Sequence, residues 1–303
     1  MLKYCLTAAT LKVASLNGVT KSLYRTIGNT IGQRGRRNKP MPSYYLKRVN
    51  RNVTLCREHD ILNGSAKVLE FGTGWMHWEA LTTRLFFDFP ATLYDVWDNR
   101  QMEALQSYLD QLKQALADGR ISPPGDKKRA LRIIDEIHQI KTFEELYKFL
   151  GFKYVVDPKG ELDSLPDATF DVIISAGVLE HVHVDSAWKI IQGMARVLKP
   201  GGFGIHSITI SDHLYHYDLS VSPKQYLHYS ERTWKLLFEN EVQYINRIQR
   251  SEWLAMFQRA GFDVIEDGGA FCVLNGLPLN DAYRKFDHHD LECTHLELLL
   301  CKR

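Results

Sequence analysis

The sequence predicts an open, doubly wound α/β sheet preceded by a helical arm, and three observations lead there. Short apolar runs recur along the chain, separated by stretches of helical periodicity, as in parallel strands joined by crossover helices. The first run, Val68-Leu69-Glu70-Phe71, breaks into the turn Gly72-Thr73-Gly74. The second, Ala91-Thr92-Leu93-Tyr94, ends at Asp95, 23 residues after Gly72 (95 − 72). An apolar strand, a glycine turn and an acid at that distance form the mononucleotide-binding half of such sheets.

In chain order, residues 1–60 come first and carry 12 Lys/Arg against 2 Asp/Glu, a net of +10 in a chain whose total is +2, so the remainder is net −8. On a helical wheel Leu2, Leu6, Ala9, Val13, Leu16, Leu23, Ile27 and Ile31 share one face, with Lys3, Lys21 and Arg25 off it and Asn17-Gly18 as an interruption. That face suits packing on its own domain, a homodimer contact, or peripheral attachment of residues 1–31 to anionic lipid; all three readings stay open. Between the second and third strands, 99–150 is too long for one crossover. It reads as a helix from Asn99 to Leu116, a turn over Asp118 to Gly125, and one or two returning helices from Lys127 to Leu150.

A third strand surrounds Tyr154-Val155-Val156, and a fourth runs over Thr169 to Ser175. A helix closes at Val197-Leu198-Lys199-Pro200-Gly201-Gly202, and a fifth strand reaches Ile210. Segment 211–250 is rich in aromatic and hydrogen-bonding residues. A last helix spans Ser251 to Ala260, with Ser251 as its expected N-cap, and strands at Phe262–Ile265 and His295–Cys301 complete seven. The expected organisation is therefore a basic arm, 1–60, and one α/β domain, 61–303, with a helical insertion at 99–150 and a substrate-binding segment at 211–250.

The turn after the first strand specifies its ligand. Gly72 permits the tight turn and Gly74 lets a ligand approach the backbone. Where a dinucleotide fold opens its helix with a third glycine, Trp75, Met76 and His77 stand, which argues against a buried pyrophosphate. Glu70 fits a cationic ligand, since its carboxylate would repel phosphate but attract an ammonium. Asp95 is placed to accept from both ribose hydroxyls.

With the segments Leu165-Pro166, Phe170-Asp171-Val172-Ile173, Leu179-Glu180-His181-Val182 and Leu198-Lys199-Pro200-Gly201-Gly202 in that order, the chain resembles the class I S-adenosylmethionine (SAM) dependent methyltransferases from Ala66 to about Ile210. The resemblance implies a Rossmann-like seven-stranded sheet with an antiparallel last strand. It also implies SAM as cofactor, with Glu70, Gly72 and Gly74 lining the methionine moiety and Asp95 on the ribose. Val96 would pack on the adenine, Glu161 and the Leu162 amide would read its edge, and Ser175 would line the site. Two departures are Met76 in place of the third glycine and a shortened segment before Phe170.

For the acceptor, the aromatic and polar segment 211–250 suits a polyhydroxylated molecule, with Tyr229, Asn246 and Arg247 as expected contacts. The expected function is therefore methylation of a sugar hydroxyl in glycan or glycolipid assembly. Alternatives are O- or N-methylation of a small metabolite or lipid headgroup, and a non-catalytic SAM-binding partner protein. A hydroxyl must lose its proton, and His181, just past the fourth strand, is the first candidate base, with His213 and His216 as rivals.

Nucleic acid is disfavoured as a substrate. Ser175-Ala176-Gly177-Val178 replaces the Asn/Asp-Pro-Pro-aromatic turn of base-amino methylation, and no Pro-Cys pair exists for cytosine C5. No metal is expected, because no ligand spacing is visible and Cys5, Cys56, Cys272, Cys293 and Cys301 are scattered. Reduced cysteines and the lack of an apolar run long enough to span a bilayer make the expected location cytoplasmic, with membrane-peripheral attachment open.

Overall fold

The computed structural model describes residues 1–62 and 64–303. Helices α1 (Leu2–Ala14), α2 (Gly18–Asn38) and α3 (Ser43–Glu58) precede β1 (Val68–Phe71), α4 (Trp78–Arg84) and β2 (Ala91–Asp95). The insertion contains α5 (Met102–Ala117), α6 (Lys127–His138) and α7 (Phe143–Leu150), and β3 (Phe152–Val156) follows directly. Then come β4 (Phe170–Ala176), α8 (Val184–Val197), β5 (Leu198–Thr209), α9 (Glu231–Leu237), α10 (Arg250–Arg259), β6 (Phe262–Phe271), α11 (His288–Glu292) and β7 (Cys293–Lys302).

The seven strands form one sheet in the order β3-β2-β1-β4-β5-β7-β6. All pairs are parallel except those of β7, which runs antiparallel to both β5 and β6. Strand order reverses between β1 and β4, so their carboxyl ends open the crevice where such sheets bind ligands.

Side-chain alternation splits the core into two layers. Val68, Leu93, Val172, Ile174 and Leu299 point to the face covered by α3 to α7. Leu69, Phe71, Ile173, Leu298 and Leu300 point to the face covered by α8 and α10. A third cluster joins Tyr4, Ala8 and Leu11 of α1 to Leu214, Trp234, Phe238 and Ile245, residues that follow β5. The N-terminal 60 residues are thus divided in their packing, with α3 in the main core, α1 against segment 211–250, and α2 contributing no buried residue.

Local signals place the helix ends. Asn17 caps α2 in a reciprocal box with Thr20, which is how the Asn17-Gly18 break is realised. Thr142 and Glu145 do the same for α7, which Gly151 ends at φ +75. The expected cap at Ser251 is corrected. Gln249 caps α10 in a box with Glu252, and Ser251 lies inside the helix, its hydroxyl donating to Asp290 Oδ2 at 2.5 Å. A glutamine is an uncommon cap, so the serine two residues on drew the prediction.

Candidate active site

The glycine turn is built around Asp95. Gly72, at φ +74, donates its N–H to the Tyr94 carbonyl at 2.8 Å. A Cβ there would lie 2.3 Å from Val178 Cγ2, so the loop after β4 can close on the turn only if this residue is glycine. Gly74, at φ +59, has open space where a Cβ would stand, and its N–H donates to Asp95 Oδ2 at 2.8 Å. Asp95 Oδ1 accepts from the Val96 N–H at 2.7 Å. Burial raises the Asp95 carboxyl above its usual range while these donors pull it back. The acid is held at the sheet edge beside an open approach to Gly74, as a nucleoside site requires.

Glu70 has a different immediate partner. It is 2% exposed and accepts from the Ala80 N–H at 2.8 Å, which caps α4 from below. Burial and the nearby Glu79 push its carboxyl well up. Val96 is exposed next to Gly160, where a Cβ would meet Val96 Cγ1 at 2.9 Å, so its side chain forms an apolar shelf beyond Asp95. Beside the shelf, Glu161 pairs with Lys189 at 2.7 Å, the Leu162 N–H donates to Tyr94 Oη at 3.1 Å, and Leu162 itself is buried at φ +63. Ser175 is buried against His206 Nδ1 at 2.8 Å, and burial holds that imidazole at about 3, hence neutral.

The other side of the crevice begins at the 3₁₀ turn Leu179–His181 after β4. Asn246 fastens this turn: its N–H donates to the Glu180 carbonyl at 2.9 Å, and Nδ2 to those of Leu179 and Val182 at 2.7 and 3.0 Å. His181 is exposed, and its Nδ1 lies 2.7 Å from the Tyr244 carbonyl. A carbonyl can only accept, so Nδ1 carries a proton, and in the neutral ring the lone pair is on Nε2. The His213 ring lies 5.0 Å from that of His181, with His216 6.2 Å further on. Burial, with His181 and His216 nearby, lowers His213 to about 3, which keeps it neutral.

Glu180, His181 and His213 each offer a ligand atom within 4.8 Å of the others, the one such group among the described residues. Glu180 is buried with Oε2 unpartnered, and burial raises its carboxyl. Two imidazoles and a carboxylate fit a borderline divalent cation. Sequence spacing concealed the group because the fold brings residue 213 to the 180–181 turn.

The two other expected acceptor contacts are engaged elsewhere. Arg247 lies over the Trp234 ring and bonds Tyr283 and Glu231, while Tyr229 packs against Phe238 at 4.4 Å. A feature that spacing did not reveal is the path of α2. Its start is tied to segment 211–250 by Tyr24 Oη to Gln243 at 2.7 Å and by Lys21 to Glu241 at 3.9 Å. Further along, Arg25 stacks on Trp97 at 4.0 Å, and Arg36 stacks on Trp75 at 3.6 Å while bonding Gln101. The helix thus straps segment 211–250 to the glycine turn. Thr26 to Ile31, beyond the Arg25 contact, are all exposed.

A methyltransferase-domain family model matches residues 38–267, most of the chain and all of the crevice. The chain belongs to that family. This methyltransferase is a class I, SAM-dependent one, and SAM is its cofactor. Among solved structures it is similar to the 1,6-didemethyltoxoflavin-N1-methyltransferase of Burkholderia thailandensis, bound to its substrate and S-adenosylhomocysteine. That match has 15% identity, covers 84% of this chain and 78% of the other, and has a TM-score of 0.46. A SAM-dependent methyltransferase of Methanosarcina mazei matches at 15% identity, 81% and 96% coverage and TM-score 0.47. The methyltransferase in a Haloferax volcanii complex with the Trm112 activator matches at 12%, 87% and 99%, and 0.42. No curated protein sequence matches the chain. No helix is long and apolar enough to cross a membrane among the described residues.

Proposed function

We propose that this methyltransferase methylates a sugar hydroxyl in glycan or glycolipid assembly, with His181 as general base. The observation that carries the reading is the His181 Nδ1 contact to the Tyr244 carbonyl, which leaves Nε2 able to take a proton on an exposed edge of the crevice. Bound SAM supplies a methyl already activated on sulfur. The chain then has to bind, align and deprotonate. Asp95 and the open backbone at Gly74 fix the cofactor's ribose side, and the Val96 shelf supports its base. Asn246 holds the 179–182 turn so that Nε2 keeps its place. An acceptor oxygen within reach of Nε2 would give its proton to that nitrogen as its bond to the methyl forms and the methyl–sulfur bond breaks, leaving S-adenosylhomocysteine.

A sugar is favoured by what surrounds this edge. His213, His216, Tyr215 and Tyr217 offer rings for apolar sugar faces and polar atoms for hydroxyls, and Tyr217 is 46% exposed. The test is a mass shift of one methyl on a panel of nucleotide sugars, glycolipids and small amines. Product from a sugar, lost with His181→Ala, supports the reading; product from amines alone overturns it.

A further inference from the structure

The apolar residues on the wheel of residues 1–31 remain outside the core. In α1 the buried residues are Tyr4, Ala8 and Leu11, so Leu2, Leu6 and Val13 point outward at 58–74% exposure, and Leu16 in the link is 72% exposed. In α2, Val19, Leu23, Ile27 and Ile31 recur every four residues, one row along the helix, at 48–78% exposure. Eight large apolar side chains, seven on two consecutive helices and one in their link, exceed the scattered exposure normal for a surface. Charge selects the occupant. No Asp or Glu occurs before Glu58; Lys21 and Arg37 pair with Glu241 and Glu103, and Arg25 and Arg36 stack on Trp97 and Trp75, while Lys3 and Arg34 carry no ion pair among the described residues. A two-fold contact with a second copy would press two basic arms together. An anionic surface with an apolar interior matches both properties.

We infer that the outer face of α1 and α2 docks on an anionic lipid surface, holding the crevice beneath the α2 strap close to the bilayer. Resting on the sugar reading, this makes the acceptor a lipid-linked sugar, because α2 joins the lipid-facing side to both the Gln243 flank and the Trp75–Trp97 flank of the site. Leu23 and Ile27 would enter the headgroup boundary, with Arg34 on the same side of the helix meeting lipid phosphates.

The test is sedimentation of the full chain with vesicles of phosphatidylcholine, with and without phosphatidylglycerol, at low and high salt. Binding should be at least about tenfold stronger to the anionic vesicles and should weaken with salt. Leu23→Asp combined with Ile27→Asp should lower it by about tenfold or more. S-adenosylhomocysteine affinity and melting temperature should stay the same, since neither side chain touches the core. Equal binding to both vesicles, no binding by the wild type, or retained binding by the double variant overturns the inference. So does a wild-type dimer that the double variant converts to monomer, because the face would then be a self-contact. The vesicles contain no sugar, so the docking result stands apart from the acceptor panel, and failure of either leaves the other readable.

Discussion

A general base needs its accepting nitrogen held in place, and the proposal for His181 rests on one backbone carbonyl. Tyr244 fixes the tautomer and the ring plane, and Asn246 fixes the turn beneath. His181→Ala should therefore leave cofactor affinity unchanged and lower kcat by about 10²–10⁴-fold, with loss of the acidic limb of the pH–rate profile. An unaltered profile would pass the role to His216, because His213 is neutral but largely buried. Asp95→Ala should weaken SAM binding by about 1–3 kcal/mol in calorimetry, since the ribose loses charge-assisted acceptors and Gly74 loses its anchor. Equal affinities would remove Asp95 from the ribose. The positions of these residues were legible in the sequence because each stands next to a strand end, where a local motif fixes three-dimensional position. Asn246 was legible only as a polar residue: its use as a clamp depends on residues more than sixty positions earlier. The buried Arg247 and the Glu161–Lys189 pair were hidden for the same reason.

At the scale of elements, strands and crossovers followed from periodicity, and the helical return of 99–150 followed from length, which left one helix or two open where the fold has α6 and α7. Longer-range pairings were not readable, and two of them yield predictions. The first is the group formed by the 179–181 turn and His213. His181 Nε2 cannot bind a cation and take a proton together, so the general-base reading predicts that turnover survives EDTA. Loss of turnover restored by a divalent cation would reassign Nε2 as a ligand, with Glu180 and His213 completing the set. The second is Lys224, fully buried between α10 and β7, with Nζ 3.0 Å from Gln249 Oε1 and 2.9 Å from the Cys293 carbonyl. Burial lowers this ammonium from 10.5 to about 7. Between those values the unfolded chain holds a proton that the folded chain does not, so stability rises with pH; below about 7 the penalty is constant. Lys224→Met should remove that contribution. Denaturant titrations at about pH 7.5 and about pH 9 should show the gap between wild type and variant changing by roughly 2 kcal/mol. A gap independent of pH would mean that Lys224 keeps its charge in the fold.

Over the whole molecule, the arm has two uses that composition could not separate. One face of α1 completes the cluster behind the acceptor segment, and the opposite face, continued by α2, is open. The wheel placed the apolar row correctly, but it could not show that Tyr4, off that row, is the residue taken into the core. Tyr4 is fully buried and donates its hydroxyl to Asp212 at 2.6 Å, while the N-terminal ammonium bonds Asp218 at 2.7 Å. Asp212 immediately precedes His213, so α1 supports the acceptor side from behind. Burial raises the Asp212 carboxyl to about 6, and the Tyr4 hydrogen bond opposes that rise. Tyr4→Phe would remove a donor from a buried acid and should cost about 1–3 kcal/mol near neutral pH. The sign of its pH dependence follows. Without the donor the Asp212 carboxyl rises further, so the folded variant holds its proton to higher pH, and the penalty grows as pH rises through about 6 and shrinks below it. Tyr4→Ala adds a cavity against Phe238 and should lose about 3–5 kcal/mol, with kcat falling as His213 loses its backing. If denaturant midpoints of Tyr4→Phe match wild type at every pH, α1 is not held by Asp212. Retained stability after removal of residues 1–31 would go further and detach the arm from the core altogether.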